Sequence, residues 1–101
     1  MITIAVIADI HGNLPALSAT WADIERQGVD EVFCLGDLVG YYPWPNEVIE
    51  FIRQRDVSSV QGNCDESVGE ELPACGCDFS SEEAMRLGEE SLRWTIDTVT
   101  W

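Results

Sequence analysis

The sequence contains no lysine, and its five arginines stand against 19 acidic residues, for a formal net charge of −14. A surface this negative repels nucleic-acid phosphates and anionic bilayers, so neither a nucleic-acid polymer nor a membrane is an expected partner. A phosphate handled by such a chain needs positive charge from elsewhere, and metal ions are the natural source. No apolar run approaches the ~18 residues of a membrane helix. Met1 leads straight into ITIAVIA, without the basic n-region and small-residue cleavage site of a signal peptide, so a cytoplasmic location is expected. Cys34, Cys64, Cys75 and Cys77 include no CxxC pair, and with no secretory signal a disulfide framework is not expected. Cys75-Gly76-Cys77 lacks the second ligand pair of a structural zinc site and reads as two loop thiols. There is a single histidine, His11.

What is present suits one small α/β domain: 101 residues with a hydrophobic fraction of 46%, enough for a modest core and too much for disorder. Thr3 to Ala8 is a continuous apolar, β-branched run that reads as a strand buried on both faces. Asn13 is a helix cap, and Pro15 fits the first turn behind it. Leu17, Trp21 and Ile24 make one apolar face, and Gly28 ends the helix. Glu31 to Leu35 reads as a second buried strand. Pro45 opens a second helix that ends near Arg55, with Val48, Ile49 and Ile52 inward and with Arg53 and Arg55 solvated. Val57 to Val60 is a short third strand. The order β-α-β-α-β implies parallel strands joined by right-handed crossovers. Val68 to Ser80 reads as a polar loop. Ser80 to Glu83 (SSEE) reads as a capping box for a last helix with the stripe Met85, Leu92, Ile96 and Val99. That pattern still runs at Trp101 with no Gly, Asn or Pro to close it, so the chain reads as cut short.

The residues after each strand carry the chemistry. Strand one is followed by Asp9-Ile10-His11-Gly12-Asn13, strand two by Gly36-Asp37, and strand three by the loop Gly62-Asn63-Cys64-Asp65. In a parallel sheet all three emerge at the carboxyl edge, where open α/β sheets bind ligands. Carboxylate, imidazole and amide oxygen together suit Mn²⁺, Zn²⁺, Fe or Mg²⁺. The one-residue gap lets Asp9 and His11 face the same side. Gly12 removes a Cβ where a substrate oxyanion and the next helix approach. Asp37 has two oxygens and is suited to bridge two metals. A D-x-H or a G-D alone is an ordinary polar turn; three such blocks after three successive strands point to a metal centre.

The blocks DIHGN, GDLVGYYPWPNEVIEFIR and VQGNCD resemble the calcineurin-like metallophosphoesterase superfamily, whose pattern is D-x-H, then G-D, then G-N-H-D or G-N-H-E. The absence of an Arg soon after Gly36-Asp37, and the run Gly-Tyr-Tyr-Pro, make the chain look more like the small prokaryotic phosphodiesterase branch. The resemblance spans about residues 2–100. It implies the N-terminal βαβαβ half of a four-layer α/β/β/α sandwich, followed by a C-terminal helix, so residues 1–101 would be a partial domain. By position, Asp9 and His11 would bind a first metal, Asp37 would bridge, and Asn63 would bind a second. The implied cofactors are two divalent ions, Mn²⁺ first, with Fe, Zn, Ni or Mg as alternatives. The implied activity is hydrolysis of a small phosphate ester, a diester by branch, through a metal-bridging hydroxide. The implied catalytic group is Asp37, Asn63, Cys64 and Asp65. Cys64 stands where the family has a histidine that contacts phosphate or protonates the leaving group, and Asp65 would orient its neighbours.

The family's later histidines are missing here. The site would then be completed by an absent C-terminal half or by a homo-oligomer; the alternative is a catalytically incomplete fragment or a non-catalytic metal-binding subunit. Tyr41, Tyr42 and Trp44 would either stack an aromatic substrate group or pack under the missing half. A receiver-type phosphoacceptor domain also gathers acids at strand ends, but it needs a lysine that this chain lacks.

Overall fold

The computed structural model describes residues 1–74, 76 and 78–101; the expected loop thiols Cys75 and Cys77 lie outside them. Three parallel strands, β1 (Ile4–Ile7), β2 (Glu31–Cys34) and β3 (Ser58–Ser59), form a sheet in the order β1-β2-β3. Helix α1 (Leu14–Gln27) links the first pair and α2 (Pro45–Gln54) the second. Two further helices follow, α3 (Asn63–Gly69) and α4 (Glu82–Thr98). This is the α/β parallel-sheet half expected from the sequence, with one additional helix. Among the described residues no helix is long and apolar enough to cross a membrane.

The local signals act as their chemistry requires. Asn13 Oδ1 accepts the Ala16 N–H at 3.1 Å, and Gly28, at φ 65°, turns the chain out of α1. Successive crossovers in one direction place α1 and α2 on the same sheet face. There Leu17, Val48 and Ile52 bury against Cys34, with Ile7 and Phe51 packed around them. A second cluster joins Val39, Ile49 and Val68 to Leu92, seating α4 on α2 and α3. Each such side chain contributes roughly 1.5–3 kcal/mol by leaving water.

Several expectations are corrected. β1 is buried on one face only, because among the described residues no layer covers the other: Ile4, Val6, Phe33, Leu35 and Val60 are exposed, and Val6 pairs with Phe33 across the strands. β2 stops at Cys34 and β3 shrinks to two residues. Asn63, Cys64 and Asp65 form the first turn of α3 rather than a loop, and that helix also takes the start of the expected loop from Val68. The α4 cap is Ser81, which accepts from Ala84 N at 3.1 Å, so Ser80 and Glu83 form no capping box. Met85 is exposed, and the buried stripe runs through Gly88, Leu92 and Thr95.

α4 does not run on to Trp101. Val99 turns extended, and Asn46 replaces the missing terminator: its Nδ2 donates to Thr98 O at 2.9 Å and its Oδ1 accepts from Thr100 N at 2.9 Å. Arg55 is not merely solvated, since its guanidinium lies 3.5 Å from the Phe51 ring centroid, with Trp21 beyond at 5.5 Å.

The uncovered face gives a first prediction. In urea unfolding, Ile52→Ala costs about 2–5 kcal/mol, whereas Val6→Thr on the bare face shifts stability by no more than about 0.5 kcal/mol. Equal losses would mean that the face is covered.

Candidate metal centre

The loops after β1 and β2 stay paired beyond the strands. Asp9 N–H donates to Gly36 O (3.1 Å), His11 N–H to Asp37 O (2.8 Å) and Gly12 N–H to Leu38 O (2.8 Å). Tyr42 N–H returns to His11 O at 3.0 Å and Trp44 N–H to Gly12 O at 3.1 Å. Gly12, at φ 71°, is required by this weave: a Cβ would stand 2.6 Å from the Tyr42 carbonyl oxygen. The approach that excludes a Cβ here is that of the backbone leading into α2.

The third block is tied to the second by one side chain. The Asp65 carboxylate, nearly buried, accepts four backbone N–H groups: Asp37 (2.7 Å), Leu38 (2.8 Å), Val39 (3.2 Å) and Gly62 (3.0 Å). In return, the Cys64 N–H donates to Asp37 Oδ1 at 2.9 Å. A Cβ on Gly62 would collide with the Asp37 carboxylate, so this approach requires glycine.

The result is a convergence of donors. His11 Nδ1 donates to the Val39 carbonyl at 3.1 Å, which fixes the ring with Nε2 turned into the site. Nε2 faces Asp9 Oδ1 at 3.6 Å. Donor atoms of His11, Asp37 and Cys64 all lie within 4.8 Å of one another. Asn63 occupies the first position of α3, between two residues that both touch Asp37. Tyr41 sits edge-on to the His11 ring, centroids 4.9 Å apart. Sequence reasoning did not find the Val39 carbonyl, because backbone acceptors leave no residue-type signal. The contact of Tyr41 with His11 places it beside the site.

The sequence pattern of the calcineurin-like phosphoesterases matches residues 2–100. The chain belongs to the calcineurin-like phosphoesterase family. An uncharacterised protein of Methanocaldococcus jannaschii is 54% identical over 65 residues, which are 64% of this chain and 27% of that protein. The crystal structure of a metallophosphoesterase from Sphaerobacter thermophilus superposes with a TM-score of 0.71 at 32% identity, covering 98% of this chain and 37% of that one. The chain therefore spans well under half the length of either relative.

The electrostatics of this phosphoesterase-family site favour a cation. Burial holds the Asp37 carboxyl above its ordinary range; the Cys64 N–H opposes that shift, while Asp9 adds to it. Burial, with Asp37, Asp65 and Asp9 nearby, pushes the Cys64 thiol up to about 11. Tyr41 is raised too, chiefly by burial. No lysine exists to neutralise these acids. A bound divalent ion would invert the local balance, so the donor set fits a metal.

Two predictions follow from this geometry. Asp65→Ala strands four backbone donors and, at roughly 1.5–3 kcal/mol per charge-assisted bond, destabilises the fold by about 3 kcal/mol or more, read by urea unfolding. For the thiol, the folded state holds its proton more tightly than the unfolded chain. Stability of the metal-free protein therefore falls between pH 9.0, the unfolded value, and about 11. Cys64→Ser makes that decline shallower, as thermal melts across this range would show.

Proposed function

We propose that the chain is the metal-binding part of a metal-dependent phosphoesterase acting on a small phosphate diester. The observation that carries this reading is the convergence of Asp9, His11 and Asp37 at one sheet edge of a calcineurin-like phosphoesterase fold. Asp9 and His11 would hold one divalent ion, Asp37 would face both, and Asn63 would reach the second, with Mn²⁺ suited to the oxygen-rich set. When bound, the ions supply Lewis acidity toward phosphoryl oxygens and a more acidic water. The Val39 carbonyl holds the His11 ring so that Nε2 would be the atom offered to a metal. Asp65 fixes the loop that carries Asp37. Tyr41 edges the opening and offers an aromatic ring to a substrate.

The bare sheet face of Ile4, Val6, Phe33 and Leu35 supports a second element of this reading. Residues 1–101 would pack there against a further sheet that brings more histidine ligands, consistent with the 37% share of the Sphaerobacter chain that they cover. The location proposed is the cytoplasm. The single histidine favours a different behaviour for these 101 residues alone, that of a half-site which binds metal without turnover.

Hydrolysis of bis-p-nitrophenyl phosphate with added Mn²⁺ tests the proposal, using the chain alone and the longest product of its gene. The longest product should turn over, be silenced by chelator, and lose about 10³-fold on Asp37→Asn, since metal contributions of several kcal/mol correspond to such factors. Inactivity with every divalent ion tried would contradict the enzymatic reading. Calorimetric titration of the 101 residues should show at most one weak Mn²⁺ event; two tight sites in a monomer would contradict the half-site reading.

A further inference from the structure

Cys64 is a buried free thiol that the ligand assignments above leave unused. Its sulfur lies within 4.8 Å of donor atoms of both His11 and Asp37. Tetrahedral zinc, with Zn–S near 2.3 Å and Zn–N near 2.0 Å, holds such donors about 3.3–3.6 Å apart. The three donors therefore need to close by no more than about 1.5 Å, a movement shared among χ adjustments of three side chains. The thiol is carried on the first turn of α3, whose position is locked by the hydrogen bond from the Cys64 N–H to Asp37 Oδ1 and by the Asp65 carboxylate. It is therefore presented to the site by a fixed element rather than by a loop.

We propose that Cys64 is a metal-facing donor, so that His11, Asp37 and Cys64 form a nitrogen–oxygen–sulfur position for a thiophilic divalent cation such as Zn²⁺ or Co²⁺. The inference rests on the reading that His11 and Asp37 hold a cation, and adds which cation this chain prefers there. Thiolate sulfur favours Zn²⁺ and Co²⁺ over Mn²⁺ and Mg²⁺, which take carboxylate and carbonyl oxygen. On ligation the thiol proton is released to solvent and the sulfur–metal bond replaces the S–H bond. Hard ions would be held by the carboxylates and imidazole without the sulfur. The metal supplied would then decide whether sulfur joins the coordination.

Cobalt absorption tests this without reference to turnover. The parent is the chain carrying Cys75→Ser and Cys77→Ser, so that only Cys34 and Cys64 remain. With Co²⁺ it should show a near-ultraviolet sulfur-to-cobalt charge-transfer band besides the visible ligand-field bands. Cys64→Ser in this parent should abolish the charge-transfer band and keep the visible ones. The same change should weaken Zn²⁺ binding at least about tenfold, the lower end of what even outer-shell partners cost, and leave Mn²⁺ binding within about twofold. Visible bands without the charge-transfer band in the parent would overturn the thiolate assignment while leaving the phosphoesterase reading intact. Absence of both would overturn the cation reading itself. Equal losses of Zn²⁺ and Mn²⁺ affinity on Cys64→Ser would overturn the proposed selectivity.

Discussion

The Asp65 carboxylate is the interaction on which the rest of the site depends. Its two oxygens gather the amides of Asp37, Leu38, Val39 and Gly62. Hydrogen bonds from several amides to one buried carboxylate are charge-assisted and short, and they fix direction as well as distance. They lock the loop after β2 to the start of α3, so the G-D block and the G-N block become one rigid unit. The loop after β1 then joins that unit through ordinary backbone pairing. Three separate strand ends thereby become one edge, and the donors they carry share a small volume.

Holding the donors there requires an unfavourable backbone. Asp9, His11, Asp37 and Tyr41 all adopt positive φ, between 50° and 70°. For residues with a Cβ such angles cost of order 1 kcal/mol or more each. Four of them within one site mark a surface on which side-chain direction outweighs local stability. The same site concentrates negative charge in a chain without lysine, with the Asp37 carboxyl and the Cys64 thiol both raised mainly by burial. A divalent ion would offset strain and charge together, since it would neutralise the acids and give Asp9, His11 and Asp37 a bond to make.

Much of this was legible in the sequence because local chemistry decided it. Asn13 as a cap, Gly28 as a terminator, and the inward face of Val48, Ile49 and Ile52 all follow from residue type and spacing. The three blocks at strand ends were legible because parallel crossovers place every such loop on one edge. The misreadings arose where partners distant in sequence took over. Asn46 ends α4 from 52 residues away, which no terminal pattern reveals. Arg55 lies on Phe51 and Trp21 because α1 and α2 pack side by side. α3 was hidden because Asn63-Cys64-Asp65 reads as turn chemistry, yet a carboxylate at its third position reaching back to the Gly62 amide starts a helix. The bare side of β1 was missed because an apolar run records which residues avoid water, not how many layers this length of chain supplies.

The central claim is that three strand-end loops surround one cation centre, and paramagnetic broadening by trace Mn²⁺ tests it most directly. Backbone amide signals of the isotopically labelled chain should broaden first and together at residues 9–12, 36–41 and 62–65. The many acids of α4 should respond only at much higher Mn²⁺. Broadening that begins along α4, or that reaches one of the three loops without the others, would contradict the account.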